Sequence, residues 1–405
     1  MVSSTIDHMI AVTVFLAATL LFIGLFNQTI QTAVIYQRHR ATATKASDLL
    51  DSMLLSPGIP LNWGQTDGVP TGFGLQDPEF TQYKISPFSL MRLSSEAGDP
   101  VYYYKTGATY SNITMGSKNF LLVANTSAID YSSALRLLGI NNTYGFQLTM
   151  TPIVTVEVTE EHAASPLQLS VNVQGTGFPL ANAEITCCLI TVSLGGGSPT
   201  FNTIYRTEYT DDEGVATVVF PEVTNSNLSY GFVAYAHLSG LVGVGYHERV
   251  TSEKQYVIPF VDSISDGRIL IAHSYDIHYD ESQHPAEIKY NASFVFFAED
   301  FTLREMPLVN SAGHVNYGDG SPYEVVNIPP DTPGILIITY KKSANEGGVV
   351  MMPWGLSSLA FSTVFGGDPT KQEWVATDMR QVTVGGIAYQ AKIAVWNLEG
   401  YQVVG

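Results

Sequence analysis

Charge is scarce in this 405-residue chain: Asp, Glu, Lys and Arg together make up 14%, against roughly a quarter in ordinary soluble domains. Basic residues are the scarcer sign, 19 against 37 acidic, for a net charge of −18. Such a chain has no positive field to draw phosphates in, which excludes a basic nucleic-acid binder. Cysteine is nearly absent. The two present, Cys187 and Cys188, exclude a multi-bridge disulfide framework, and side by side they lack the spacing of a zinc site. Neighbours on a strand point to opposite faces, so one of the pair is expected in the core and the other at the surface. Catalytic signatures are missing as well: there is no G-x-S-x-G elbow, H-E-x-x-H, P-loop or G-x-G-x-x-G. Neither enzymatic activity nor a cofactor is expected. What the chain has in quantity is core material, 45% hydrophobic and 11% aromatic with 22 Tyr, which excludes disorder.

The long apolar run is Met9 to Phe26, MIAVTVFLAATLLFIGLF, 18 residues without a charge. That is enough to span a bilayer. No Lys/Arg-rich region precedes it and no small-residue cleavage site follows, so a retained span is expected rather than a signal peptide. The helical pattern continues through Ile30, Ala33, Val34, Ala41, Ala46, Leu49, Leu50, Met53 and Leu54, and Ser56-Pro57-Gly58-Ile59-Pro60 ends it. A helix over Ile6–Leu54 is roughly 70 Å long, so its second half must project from the membrane and pack on something. Arg38, Arg40 and Lys45 follow the span, which by the positive-inside rule favours a cytoplasmic carboxyl side. Arg38, however, lies about 18 Å up the helix from Phe26, beyond the headgroups. Six N-x-S/T sequons point outward instead, at Asn27, Asn112, Asn125, Asn141, Asn227 and Asn291. The bulk of the chain is expected outside the cell, with the last five of these as glycosylation candidates.

The segment Ala46–Gly64, ASDLLDSMLLSPGIPLNWG, resembles the end of the long helix in archaeal type IV pilin-like membrane proteins, in Pro57, Gly58, Pro60, Asn62 and Trp63. Tyr131–Met150, YSSALRLLGINNTYGFQLTM, is similar to the short helix, Leu-Gly-Ile turn and strand found later in such proteins. The resemblance implies a helix serving as filament core or membrane anchor and a head facing outward. In physical terms the prolines stop the helix and Trp63 anchors the turn on the next domain.

Beyond Gly64 the composition turns to Val, Thr, Tyr and Phe punctuated by Gly and Pro, with strand-like runs every 8–12 residues. Val154–Val158 and Leu167–Val173 alternate. Gly177-Phe178-Pro179-Leu180-Ala181-Asn182-Ala183 feeds a strand, Thr210-Asp211-Asp212-Glu213-Gly214-Val215-Ala216 turns between two strands, and Tyr230–Tyr235 reads as the last long strand of the unit. These two turns resemble the pair found in Ig-like sandwiches of the carboxypeptidase-regulatory and invasin-like type, which implies a spacer or scaffold module. Asp211, Asp212 and Glu213 have the look of a calcium loop, but a hairpin turn with Gly214 at positive φ is the plainer reading. Gly334–Tyr340 reads as a buried strand, and Val382–Trp396 as a hairpin around Gly385-Gly386.

The fold class expected is therefore mainly β with one long amino-terminal α-helix: a transmembrane helix (span 9–26) plus an extracellular head containing an Ig-like β-sandwich. The divisions are 1–56 for the helix, 57–150 for a pilin-like head segment, 151–252 for the sandwich and 253–405 for a carboxy-terminal β-rich domain, the last packing with 57–150 if the sandwich is an insertion. Acidity follows this order. The first two divisions carry net charges of 0 and −1, the last two −8 and −9, so the neutral parts lie nearest a negative lipid surface.

Among site candidates, Asp276, His278 and Asp280 share one strand face at i, i+2, i+4, a set able to hold a divalent ion, although a solvated face is the plainer reading. Tyr102-Tyr103-Tyr104 suggests carbohydrate stacking or, more simply, a half-buried strand. The expected role is a single-pass cell-surface structural or interaction protein, a pilin-like component or accessory subunit of an envelope assembly. Its expected partners are the bilayer through residues 9–26, and other membrane helices or copies of itself through the long helix. The alternative is a ligand- or polymer-binding, adhesin-like ectodomain or an auxiliary subunit of a membrane enzyme complex, which a concave aromatic or acidic pocket would favour.

Overall fold

The structure, a computed structural model, describes residues 2–79, 81–93, 100–115, 118–124, 127–195, 197–251, 255–273, 287–298, 303–316, 323–355 and 359–398. Helix α1 (Val2–Leu54) is one unbroken element of 53 residues, about 80 Å at 1.5 Å per residue. Two short helices, Pro87–Met91 (α2) and Tyr131–Leu137 (α3), follow; α3 leads through Gly139 into a strand as its sequence predicts. All else that is regular, apart from single 3-10 turns, is β: twenty-three strands among the described residues, numbered in chain order.

The carboxy-terminal turns of α1 rest on a five-stranded sheet. Its order is Lys84–Ile85 (β1), Ala376–Val384 (β22), Ile387–Asn397 (β23), Tyr144–Pro152 (β5), Thr363–Gly366 (β21), with only β1 and β22 parallel. Strands from before residue 153 and after residue 362 thus interleave in one sheet. A six-stranded sheet has the order Tyr323–Asn327 (β18), Arg268–His273 (β14), Val257–Ser263 (β13), Lys118–Ala124 (β4), Ala108–Met115 (β3), Val101–Tyr103 (β2), and joins early and late strands at a single parallel seam between β13 and β4. A third sheet runs Leu303–Met306 (β16), Ile288–Phe297 (β15), Gly334–Ser343 (β19), Glu346–Trp354 (β20), with Ala312–Val315 (β17) beside β16 on the same edge of β15. The strand expected at Gly334–Tyr340 is buried along its whole length, and the expected hairpin pairs Val384 with Ile387 across Gly385-Gly386.

Between these two chain halves lies a seven-stranded antiparallel sandwich. One sheet is Val215–Phe220 (β10), Leu167–Gln174 (β7), Thr155–His162 (β6); the other is Leu241–Arg249 (β12), Tyr230–Leu238 (β11), Glu184–Ser193 (β8), Thr200–Tyr209 (β9). Its first, second and fifth strands face its third, fourth, sixth and seventh, an Ig-like arrangement. Alternation puts Leu167, Leu169, Val171 and Val173 into the shared core. Tyr230–Tyr235 is not the last long strand: β12 follows through Ser239-Gly240, both at positive φ (52° and 83°), the two-residue turn that matches strand twist.

The four-stranded sheet is covered on both faces. Cys187, Leu189, Phe232 and Ala234 enter the sandwich core, while Cys188, Ile190, Val233 and Tyr235 enter the main core of the head. The sandwich is welded to the head through its own sheet. The contact is close: a Cβ on Gly231 of β11 would stand 2.7 Å from Met351 Sδ on β20.

Candidate functional site at the helix–head junction

The first two-thirds of α1 touches nothing in the head. It is the described helix apolar and long enough to cross a membrane: its best 18-residue window has a mean hydropathy of 2.6 and no buried residue. Phe15, Leu20, Leu21 and Phe22 are each about 70% exposed. The hydroxyls of Thr13 and Thr19 donate back to the carbonyls of Met9 and Phe15, each at 2.8 Å. Polar atoms in this stretch are thus satisfied within the helix, as a lipid environment demands.

Docking begins at His39, whose ring stacks on Trp374 at 4.1 Å and 3°. Thr42, Ala46, Leu49, Leu50, Met53 and Leu54 then form a buried stripe of helical period against β22 and β23. Ile30 and Val34, which share that period in the sequence, are exposed because they precede the first contact with the head, and Ala41 is exposed beside the buried Thr42. Arg380 on β22 closes the junction. Its guanidinium donates to both carboxylate oxygens of Asp51 (3.0 and 3.1 Å) and to Ser47 Oγ (3.0 Å) on α1, and to Asp378 (2.9 Å) on its own strand. Its hydrogen bonds to Asp51 and Asp378 hold the Arg380 pKa above its ordinary value. Burial works to raise Asp378, but the Met379 amide, Ser47 and Arg380 outweigh it and keep the carboxyl below its ordinary 3.8. Because the site is partly open to solvent, Arg380→Ala should lower stability by only about 1 kcal/mol. The checkable signature is loss of hydrogen-exchange protection confined to the last four turns of α1.

The turn after α1 is built around Trp63 and Arg92, both fully buried. Trp63 Nε1 donates to Gly74 O at 2.8 Å, which anchors the Pro57–Trp63 turn on the head as its sequence predicts. The Arg92 guanidinium lies 5.1 Å from the Trp63 ring centroid. It donates to Ser127 O (2.7 Å), Gly68 O (2.7 Å) and Trp63 O. Burial lowers its pKa to about 10, with Asp67 opposing the shift. Asp67 in turn accepts from the Ile264 amide (2.6 Å), Ser263 Oγ (2.8 Å) and Ser265 Oγ (2.7 Å). Burial pushes its carboxyl up, but these bonds hold it below 3.8. Carboxylates of this kind bind protons less well folded than unfolded, so their stabilisation is present above 3.8 and fades as pH falls through the folded-state values. The melting temperature should stay level from about pH 7 to about pH 5 and decline below about pH 4. No lone motif marked Arg92, since its partners are backbone carbonyls distant in sequence.

Other expected sites are dispersed. Asp276, His278 and Asp280 lie outside the described residues, as does Asn125. Among the described residues no cluster of His, Cys, Asp or Glu is arranged to hold a metal. The acidic turn is a hairpin. Asp211 Oδ1 accepts from the amides of Glu213 and Val215, both at 2.9 Å, and Gly214 takes φ 76°. In the tyrosine run Tyr103 is buried and stacked on Phe260 at 5.0 Å, whereas Tyr102 and Tyr104 are exposed. Asn141 and Asn227 are exposed in loops and Asn27 on the helix; Asn112 lies in β3, and Asn291 is half-buried in β15 between two paired strands. Both cysteines are free and buried, contrary to the expectation of one at the surface, because each face of their sheet has its own core. Burial drives both thiols up to about 12. An aromatic disulfide reagent should therefore react with neither in the folded protein and with both after denaturation.

These features define a mainly β protein with a sandwich in its head and one long, apolar amino-terminal helix. No family model matches the chain, and no curated protein matches it. Among solved structures it is similar to the D0-D1 domain of intimin, at 16% identity over 54% of this chain and 98% of that one, with a TM-score of 0.20. It is also similar to trypsin-activated alpha-2-macroglobulin from Escherichia coli, at 10% identity over 57% and 18%, TM-score 0.21. A third similarity is to red sea bream transglutaminase, at 11% over 61% and 37%, TM-score 0.16.

Proposed function

We propose that the chain is a single-pass membrane protein that holds a non-catalytic, acidic β head at the outer cell surface, as a pilin-like component or accessory subunit of an archaeal-type envelope assembly. The observation that carries this reading is the division of one continuous helix. Its apolar window is wholly exposed, while its last turns are locked to the head by a buried stripe and the Arg380 clamp. Residues 27–41 separate the two, roughly 22 Å of helix. The head therefore stands off the bilayer, leaving a stalk along which partner helices or further copies pack. The PGIPLNW turn and the sandwich support a structural or interaction role. Sequon use at Asn141 and Asn227 is part of the same reading, since both are exposed on the head. Electron microscopy of native envelopes with antibody against the head is the test. Filaments, a lattice or discrete membrane-attached complexes support it, and label confined to the cytoplasm contradicts it.

A further inference from the structure

A cleft of about 620 Å³ opens where the sandwich meets the β19–β20 hairpin of the head. Its volume is that of a small-ligand site. Three hydroxyls form the floor. Ser229 Oγ donates to Gly347 O (3.0 Å), accepts from the Thr251 amide (3.1 Å) and lies 2.9 Å from Thr251 Oγ1. Thr191 Oγ1 donates to Asn202 O at 3.4 Å. These contacts tie β8, β9, the loop before β11 and β20 together, so the floor is fixed before any ligand arrives.

The rim carries four exposed carboxamides, Asn202, Asn225, Asn227 and Asn345. The Asn225 oxygen accepts from the Asn227 amide at 2.9 Å, leaving its NH2 group for an incoming acceptor. Leu194 and Leu228 supply small apolar patches between them. Among the described lining residues none is ionisable and none is aromatic.

We propose that this cleft binds a neutral saccharide. Its groups exclude the other ligand classes in turn. An anion would meet no cation among the described lining residues, since the neighbouring Lys341 and Arg249 donate to the carbonyls of Leu194 and Leu228, and it would enter between two blocks of net charge −8 and −9. A metal ion would find no carboxylate among the described lining residues, and an apolar ligand would strip water from carboxamides and hydroxyls without replacing it. A sugar hydroxyl is both donor and acceptor, as are carboxamide and hydroxyl side chains, and its C–H faces fit the leucines. Two sources present this chemistry: a separate surface polysaccharide, or a glycan attached to Asn227, whose sequon Asn227-Leu228-Ser229 lies in the cleft wall. The inference does not depend on the proposed assembly role.

The test is saturation-transfer NMR on the full chain in a zwitterionic detergent without sugar headgroups. The probes are maltotriose, cellotriose and mannotriose, with trigalacturonate as the charged comparator. The protein is used with its sequon intact and as Asn227→Gln, which removes the attachment point and keeps a carboxamide. Transfer to a neutral trisaccharide in both forms identifies a separate saccharide. Transfer only in Asn227→Gln identifies the chain's own glycan as occupant. In either case Asn202→Asp with Asn345→Asp, both at exposed positions, should weaken binding tenfold or more while leaving the melting temperature in place. No transfer in any form, transfer untouched by the double substitution, or preference for trigalacturonate overturns the proposal.

Discussion

Leu16→Lys combined with Phe22→Lys should release the chain from membranes into the soluble fraction with its head still folded. The stretch Met9–Phe26 contains eleven Leu, Ile, Val and Phe residues. At roughly 0.3–0.6 kcal/mol each, they favour insertion by about 3–7 kcal/mol. A lysine near the middle of a span costs about 2.5–3.5 kcal/mol, so two cancel most or all of that driving force. Both positions are exposed, at 55% and 71%, and contact nothing in the head. The head's circular dichroism and melting temperature should therefore be unchanged while the sedimentable fraction collapses. A single conservative exchange, Leu16→Ile, should change neither.

Arg92→Met should be the most destabilising substitution in the head, by about 3–5 kcal/mol. The side chain is fully buried, and its guanidinium satisfies three carbonyls, on Trp63, Gly68 and Ser127, while filling the space against the Trp63 ring. Methionine replaces much of the volume but none of the donors. The Gly68 and Ser127 carbonyls lose the guanidinium, Trp63 O is left with only the Thr66 amide and hydroxyl, and Asp67 keeps its negative charge without the facing cation. Lysine preserves charge but not the planar fork, so Arg92→Lys should recover less than half of the loss. Thermal or urea unfolding of the full chain in detergent reads both. The turn that ends α1 should become sensitive to protease first, since Trp63 and the residue 67–68 loop lose their common tie.

What could be read from the sequence followed the range of the signals. The helix was legible because 18 uncharged apolar residues and a 3.6-residue period are local, and so was its stop at Pro57. The hairpins were legible for the same reason: Gly214 and Gly385-Gly386 each mark a turn within a few residues of the strands they join. Strand β12 was missed because Leu241–Arg249, with Gly243 and Gly245, shows no clean alternation. Those glycines let β6 cross it, with Val154 and Val156 occupying the space side chains would fill. The placement of Cys187 and Cys188 failed because period two tells which residues share a face but not what covers that face. A second layer from residues beyond 250 covers it here. The Arg380–Asp51 pair is 329 residues apart in the chain, and the Asp67–Ser265 bond 198. Such separations carry no local pattern, so the junction and the Arg92 knot emerge only once the strands on either side of the sandwich are seen in common sheets.

The measurement that tests the central claim most directly is liposome flotation of the full-length chain after detergent removal, with the helix intact. The account predicts that the protein rises with the vesicles, resists extraction at alkaline pH, and loses only the head to added protease. A chain that remains soluble and monomeric without detergent or lipid contradicts it.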